Sequence, residues 1–321
     1  MTSTPTESYS FSSIEQVDKM THDLGWATEY NQLQKGPFSS SFTVQRNASW
    51  FLMEEQSNRS VQVQAPAPSE MYVLAFIEGP PGSVNSQLLD ASRVFIQCPD
   101  TEFQATLTAG MTVTQIGVLA DQFEETIYFF APDIEISLTG VNSMAADPKR
   151  LANIQLAIRN ALTNPAPRDA IQQELVSEIL VKSLNTLFGQ QNAPRSTKLH
   201  REGARRALVR ATDYIESHLT ESIRIPAICS YASTTPRSLE RIFYREFGVS
   251  PQQYVKARRL NAVHRRLLFI ERDKSVKISD VASSYGLSHM GRFSQDYKHF
   301  FGRSPRETLM HHESIQTRSA Q

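Results

Sequence analysis

The chain has 321 residues, enough for two domains at roughly 150 residues each. Its 40% hydrophobic and 21% charged content, with few Gly and Pro, excludes collagenous and low-complexity classes. Formal charge cancels at 33 basic and 33 acidic residues, yet residues 195–321 hold 23 Lys+Arg against 12 Asp+Glu. The preceding residues carry the opposite imbalance, an asymmetry that points to nucleic-acid contact by the basic half.

The N-terminal stretch MTSTPTESYSFSS lacks the basic and apolar regions of a secretion signal. No apolar run approaches the roughly 18 residues of a membrane helix, so a cytoplasmic protein without a membrane partner is expected. Two cysteines, Cys98 and Cys229, are too few for a disulfide framework or a four-ligand zinc site, and they read as small buried residues. No metal or cofactor is expected.

From about Phe38 to Val118 the sequence reads as short strands. Phe38, Phe42 and Val44, then Val61, Val63 and Ala65, then Phe103, Ala105 and Leu107 alternate at period two. The runs WFLM (50–53), MYVLAFI (71–77) and RVFIQ (93–97) read as more deeply buried strands. Pro- and Gly-rich turns between them predict a sandwich or barrel. Trp50, Phe51, Tyr72, Phe76 and Phe95 either line a ligand pocket or fill an ordinary core. Arg93 sits inside an apolar run and needs a partner, either an anionic ligand or a carboxylate such as Glu102.

Two helices follow. Asp147 fits an N-cap with Pro148 behind it, and Leu151, Ile154, Ile158 and Leu162 recur at helical spacing. A second run places Ile171, Leu175, Ile179, Leu187 and Phe188 on one face. That stripe is longer than a small sandwich needs, so a homodimer with Leu175 and Ile179 near its interface is expected. Residues 1–188 thus form one domain, 189–203 a polar linker, 204–312 an all-helical domain and 313–321 a disordered tail.

The helical half repeats itself. Phe243, Phe247, Gly248 and Ser250-Pro251 recur as Tyr297, Phe301, Gly302 and Ser304-Pro305 at an offset of 54, whereas Ile228-Cys229 matches Val281-Ala282 at 53. The second copy therefore has a turn one residue longer. Each glycine suits a left-handed helix end. Each Ser-Pro, with Gln253 or Glu307 behind it, reads as a capping box that starts the next helix. In copy one, 225–231, a turn and 236–247 form a helix-turn-helix; in copy two, 278–285 leads through a turn to about 289–301. The longer helix after the first unit is expected at about 251–269.

These residues carry a resemblance. The stretch GLSHMGRFSQDYKHFFGRSPRETL (286–309) and FYREFGVSPQQYVKARRLNAVHRRL (243–267) resemble the DNA-binding domain of AraC/XylS-type transcription regulators. That family implies two recognition helices in successive major-groove faces, about 34 Å apart. It implies base-reading positions at Arg237, Glu240 and Arg241 in copy one and at Gly291, Arg292 and Gln295 in copy two. Gly291, having no side chain, is a departure. Arg245, Lys298, Arg303 and the helix starts at Ser250 and Ser304 are then phosphate contacts. The family also implies a β-rich, cupin-like effector and dimerisation domain at the N-terminus. The CPDTEF turn (98–103) is similar to ethanolamine-operon-regulator-type domains. The whole reads as an α+β, ligand-responsive transcription regulator, a homodimer that meets double-stranded DNA, a small-molecule effector and, as an activator, RNA polymerase. No catalytic motif is present, and the expectation is not an enzyme. Two other readings remain open: a helical-repeat module that binds proteins, and a regulator fused to a Cys98-dependent domain.

Overall fold

A computed structural model describes residues 4–66, 70–85, 87–130, 141–166, 168–188, 198–268 and 277–310. They fall into two units, the second holding 31–38 and 59–61 besides the C-terminal helices.

The first unit is built on two sheets. The seven-stranded sheet contains β1 (Thr6–Phe11), β3 (Ser40–Arg46), β4 (Trp50–Ser57), β6 (Met71–Glu78), β9 (Arg93–Gln97), β11 (Thr112–Leu119) and β12 (Val141–Ala145), in the order β1-β3-β4-β11-β6-β9-β12. The five-stranded sheet contains β2 (Glu29–Gln32), β5 (Val61–Pro66), β7 (Gly82–Val84), β8 (Gln87–Leu89) and β10 (Glu102–Leu107), ordered β2-β5-β10-β7-β8. The β-rich domain expected from period-two alternation is present.

Register decides which side chains share a face. Ile116 of β11 stands opposite Leu52 of β4 and Leu74 of β6. All three are buried with Trp50, Phe76, Val94 and Ile96 against the helices. One residue along, Gln115 stands opposite Met53 and Ala75, and these point the other way.

The helices of this unit are α1 (Ile14–Asp23), α2 (Ala120–Phe130), α3 (Pro148–Thr163) and α4 (Asp169–Phe188). Asp147 caps α3 by accepting from the Lys149 amide at 2.8 Å, as its place before Pro148 predicts. Leu151, Ile154, Ile158 and Leu162 pack on the sheet.

Helix α4 corrects the expected stripe. Its buried set is Val176, Ile179, Leu180, Leu184 and Leu187, all in the unit's own core. Ile171 is 46% exposed, and Leu175 is only partly buried against the same core. A walk at steps of four drifts about 40° per step around a helix, so a line drawn through 171, 175 and 179 leaves the core face. Ile179 is thus a core residue of its own domain and not an interface residue. The side chain of Phe188 lies outside the described residues.

The second unit contains α5 (Lys198–Ser217), α6 (Ile225–Tyr231), α7 (Pro236–Phe247), α8 (Pro251–Leu268), α9 (Ile278–Ser284) and α10 (Met290–Phe301), with a further helical stretch at 305–310. Helix α5 begins inside the stretch read as linker; residues 189–197 and the expected tail lie outside the described residues. Ala207, Leu208, Ala211 and Ile215 recur at helical spacing and are buried against α6 and α7.

Helix α8 serves two cores. Tyr254 and Val255 belong to the cluster around Leu239, Ile242, Phe243 and Phe247. Ala257, Leu260, Val263 and Leu267 belong to the cluster around Phe293, Tyr297 and Phe300. Residues 31–38 complete this unit. Leu33 is buried in the first cluster. The Gln32 amide donates to Asn261 Oδ1 at 3.2 Å, and Asn261 Nδ2 returns a bond to the Gln32 carbonyl at 2.8 Å.

Candidate nucleic-acid interface and ligand cavity

The two helix-turn-helix copies are built alike. In the first turn the Thr234 amide donates to the Cys229 carbonyl at 2.9 Å; in the second, Leu287 donates to Ala282 at 3.0 Å. Ser233 and Gly286 hold the same left-handed position, at φ 51° and 72°. The extra residue of copy two falls after this turn and before α10. Gly248 and Gly302 end α7 and α10 in the left-handed region at φ 68° and 76°. Both capping boxes form. Gln253 and Ser250 exchange bonds of 2.9 and 3.2 Å, and Glu307 and Ser304 exchange bonds of 2.5 and 3.2 Å.

With one face of α7 fixed in the core, Arg237, Glu240, Arg241, Tyr244 and Arg245 are left on the exposed face. Among the described residues, Glu240 makes no ion pair with Arg237 or Arg241. On α10 the exposed face holds Gly291, Arg292, Gln295 and Lys298. Space around Gly291 is open.

Some of these side chains have partners within the protein. Arg245 pairs at 2.6 Å with Glu246, its buried neighbour. Asp296 receives Lys256 at 2.7 Å and lies 3.9 Å from Arg292. This acidic residue beside Arg292 escapes sequence reading, although its i,i+4 spacing from Arg292 is the available signal. Ser250 and Ser304 spend their hydroxyls on capping. Glu307 also puts a carboxylate at the second helix start, held below its usual range by the hydrogen bonds from Ser304. A phosphate therefore fits better at Ser250 than at Ser304. Arg303 is half-buried.

Neighbouring arginines hold the scaffold. Arg258 is buried and grips Glu216 through two bonds of 2.6 and 2.8 Å. Arg259 donates at 3.1 Å to the Leu219 carbonyl and also to the Glu221 carbonyl.

In the first unit a cavity of about 110 Å³ lies between the two sheets. Phe51, Met53 and Glu55 of β4, Phe95 of β9, and Phe103, Ala105 and Leu107 of β10 line it with their inward alternation. Of the five aromatic candidates, Phe51 and Phe95 face the cavity. Trp50 and Phe76 pack on the helices instead, and Tyr72 stacks on Phe123 at 4.1 Å. Arg93 is not among the lining residues; its guanidinium donates to the hydroxyl and carbonyl of Ser143. Sequence reading ends the apolar run of β4 at Met53 and so misses Glu55, two residues on and on the same face.

Cys98 is buried, and that burial pushes its thiol up. An activated nucleophile needs the opposite shift. Among the described residues, no helix is long and apolar enough to cross a membrane.

Comparisons with known proteins place one family model within the second unit. A helix-turn-helix domain model matches residues 228–311. The chain is 32% identical over 148 residues to the XylDLEGF operon transcriptional activator 3 of Pseudomonas putida, covering 46% of this chain and 42% of that one. It is 34% identical over 104 residues to activator 2 of the same operon and organism, covering 32% of this chain and 66% of that one. The match thus spans less than half the length of the first relative. Among solved structures, a probable AraC family transcriptional regulator from Rhodopseudomonas palustris is 29% identical, with a TM-score of 0.31, over 33% of this chain and 96% of that one.

Proposed function

We propose that the chain is an AraC/XylS-type regulator, a reading its C-terminal helix-turn-helix pair supports, and that it is a sequence-specific, ligand-responsive activator of transcription. Helices α7 and α10 enter successive major-groove faces. Arg237, Glu240 and Arg241 read one half of the site; Arg292 and Gln295 read the other. Arginine pairs with guanine, glutamine with adenine, and glutamate accepts from cytosine. Arg245, Lys298, Arg303 and the helix starts at Ser250 and Ser304 meet phosphates. The observation that carries this reading is the repeated exposure of those polar faces on two equivalent helices whose opposite faces are buried.

The first unit senses a small molecule in its cavity. The regulator acts in the cytoplasm as a homodimer and contacts RNA polymerase when activating. Ile179 being in the core, the exposed Leu156 and Ile171 supply the apolar dimer contacts. Leu156→Glu should then give a folded monomer in sedimentation.

Binding-site selection with full-length protein tests the DNA reading. A recurrent motif with two half-sites about one helical turn apart supports it. Recovery of random sequence, with binding insensitive to salt, would leave a protein-binding helical repeat as the better account.

A further inference from the structure

The cavity between the sheets is walled by apolar and aromatic side chains and contains one carboxyl group. Glu55 is 3% exposed, and its Oε1 has no hydrogen-bond partner. Tyr30, the other titratable group in the lining, donates its hydroxyl to Glu55. Among the described residues that line the cavity, none is Lys, Arg, His or Asp. Two of the other polar side chains there have partners within the protein. Gln97 donates to the Thr101 carbonyl at 2.9 Å, and Thr21 donates to the Val17 carbonyl at 3.1 Å.

An unpartnered carboxylate oxygen in an apolar cavity is costly unless something pairs with it. An anionic ligand would add a second negative charge with no cation to offset it. A neutral alcohol can supply one hydrogen bond but leaves the charge unpaired. A protonated amine supplies both a donor and the opposite charge. The walls suit it as well, since Trp26, Phe51, Phe95 and Phe103 offer ring faces that attract cations.

We infer that the effector of this regulator is a small monocationic amine with an apolar body, its ammonium group bonded to Glu55 Oε1. The inference rests on the reading of the first unit as a ligand sensor. Its size follows from the cavity of about 110 Å³, somewhat below the ~150 Å³ cavity that takes up benzene. The amine is thus no larger than a single six-membered ring, on the order of a four-carbon branched alkylamine. This reverses the sign expected from Arg93, whose guanidinium is held by Ser143.

Isobutylamine, isobutanol and isobutyrate have similar shapes and are cationic, neutral and anionic, so they separate charge from fit. Melting full-length protein with each at pH 8, where Glu55 is ionised, should show a saturable rise in Tm for isobutylamine, because binding to the native state stabilises it. Glu55→Gln should weaken isobutylamine by roughly tenfold or more without a matching loss for isobutanol. Ala105→Leu fills the cavity and should abolish the isobutylamine shift even if Glu55→Gln fails to fold. Isobutanol or isobutyrate binding as tightly as the amine would overturn the inference. So would an amine shift that survives either substitution, or no shift with any probe. The sensor reading is judged separately. If folded Ala105→Leu protein regulates its promoter as the parent does across growth media, that reading fails whatever the probes show.

Discussion

At the scale of single residues, the cavity face of β4 shows what one sheet position decides. Glu55 follows Phe51 and Met53 at period two, so the strand that buries two apolar side chains must bury the carboxyl as well. Burial raises its pKa from 4.5 to about 7, opposed only partly by the Tyr30 hydrogen bond. Between those values the folded chain keeps a proton that the unfolded chain has released. Stability therefore falls as pH rises from 4.5 through 7, and levels off above it. About 3 kcal/mol is at stake. Glu55→Gln should accordingly be more stable than the parent in urea at pH 8, and should lose that advantage at pH 4. Equal stability of the two proteins at pH 8 would mean that Glu55 is not buried as a charge. Residue reading of the sequence does not reach this group, because the apolar run ends before it. Arg93 shows the converse case. A charge in an apolar run was legible, but only the register beside β12 places Ser143 against it.

At the scale of elements, the C-terminal half was the more legible because its punctuation is local. Helix ends, capping boxes and turns follow from glycines, serines and prolines a few residues apart. The turn glycine of copy two offers a test. Gly286 has φ 72°, and a Cβ there would lie 2.9 Å from Arg259 Nη1. Gly286→Ala should cost about 1–2 kcal/mol through the left-handed backbone alone. Gly291→Ala meets open space in the first turn of α10 and should be neutral or stabilising by up to about 1 kcal/mol. Thermal melts of the two variants should move in those different directions. The buried Asn261 gives a second test. Asn261→Ala removes both bonds to the Gln32 backbone, and each buried group left unpaired costs about 1–3 kcal/mol. A melt unchanged by Asn261→Ala would show that Gln32 finds other partners. Helix α4 was less legible. Its core face depends on which side the sheet lies, and apolar residues at half of its positions let several stripes be drawn. Ile179→Glu should unfold the first unit, whereas an interface residue would have left a folded monomer in circular dichroism and sedimentation.

At the scale of the molecule, the opposite charge of the two halves is the feature that composition alone conceals. Counting by halves exposes a basic C-terminal half, and the repeat then picks out the two exposed polar faces proposed to meet DNA. What counting cannot show is how far each basic side chain is already engaged. Arg258 and Arg259 hold the helical scaffold and are poor candidates for DNA contact. Arg292 is shared with Asp296, whereas Arg241 projects from α7 without an ion pair among the described residues. These differences lead to separable effects on full-length protein. Arg241→Ala should relax the selected motif in one half-site, and Arg292→Ala in the other, each by about 1–3 kcal/mol of discrimination. Lys298→Ala should weaken all sequences alike and reduce the slope of log K against log salt by about 1. Asp296→Ala should tighten binding to all duplexes, because it frees Lys256 and Arg292 from a carboxylate that competes with phosphate. Binding isotherms at several salt concentrations, on the selected site and on a scrambled duplex, separate the four variants. If Arg241→Ala leaves the motif unchanged, or Asp296→Ala weakens binding, the exposed faces of α7 and α10 are not the surfaces that read DNA.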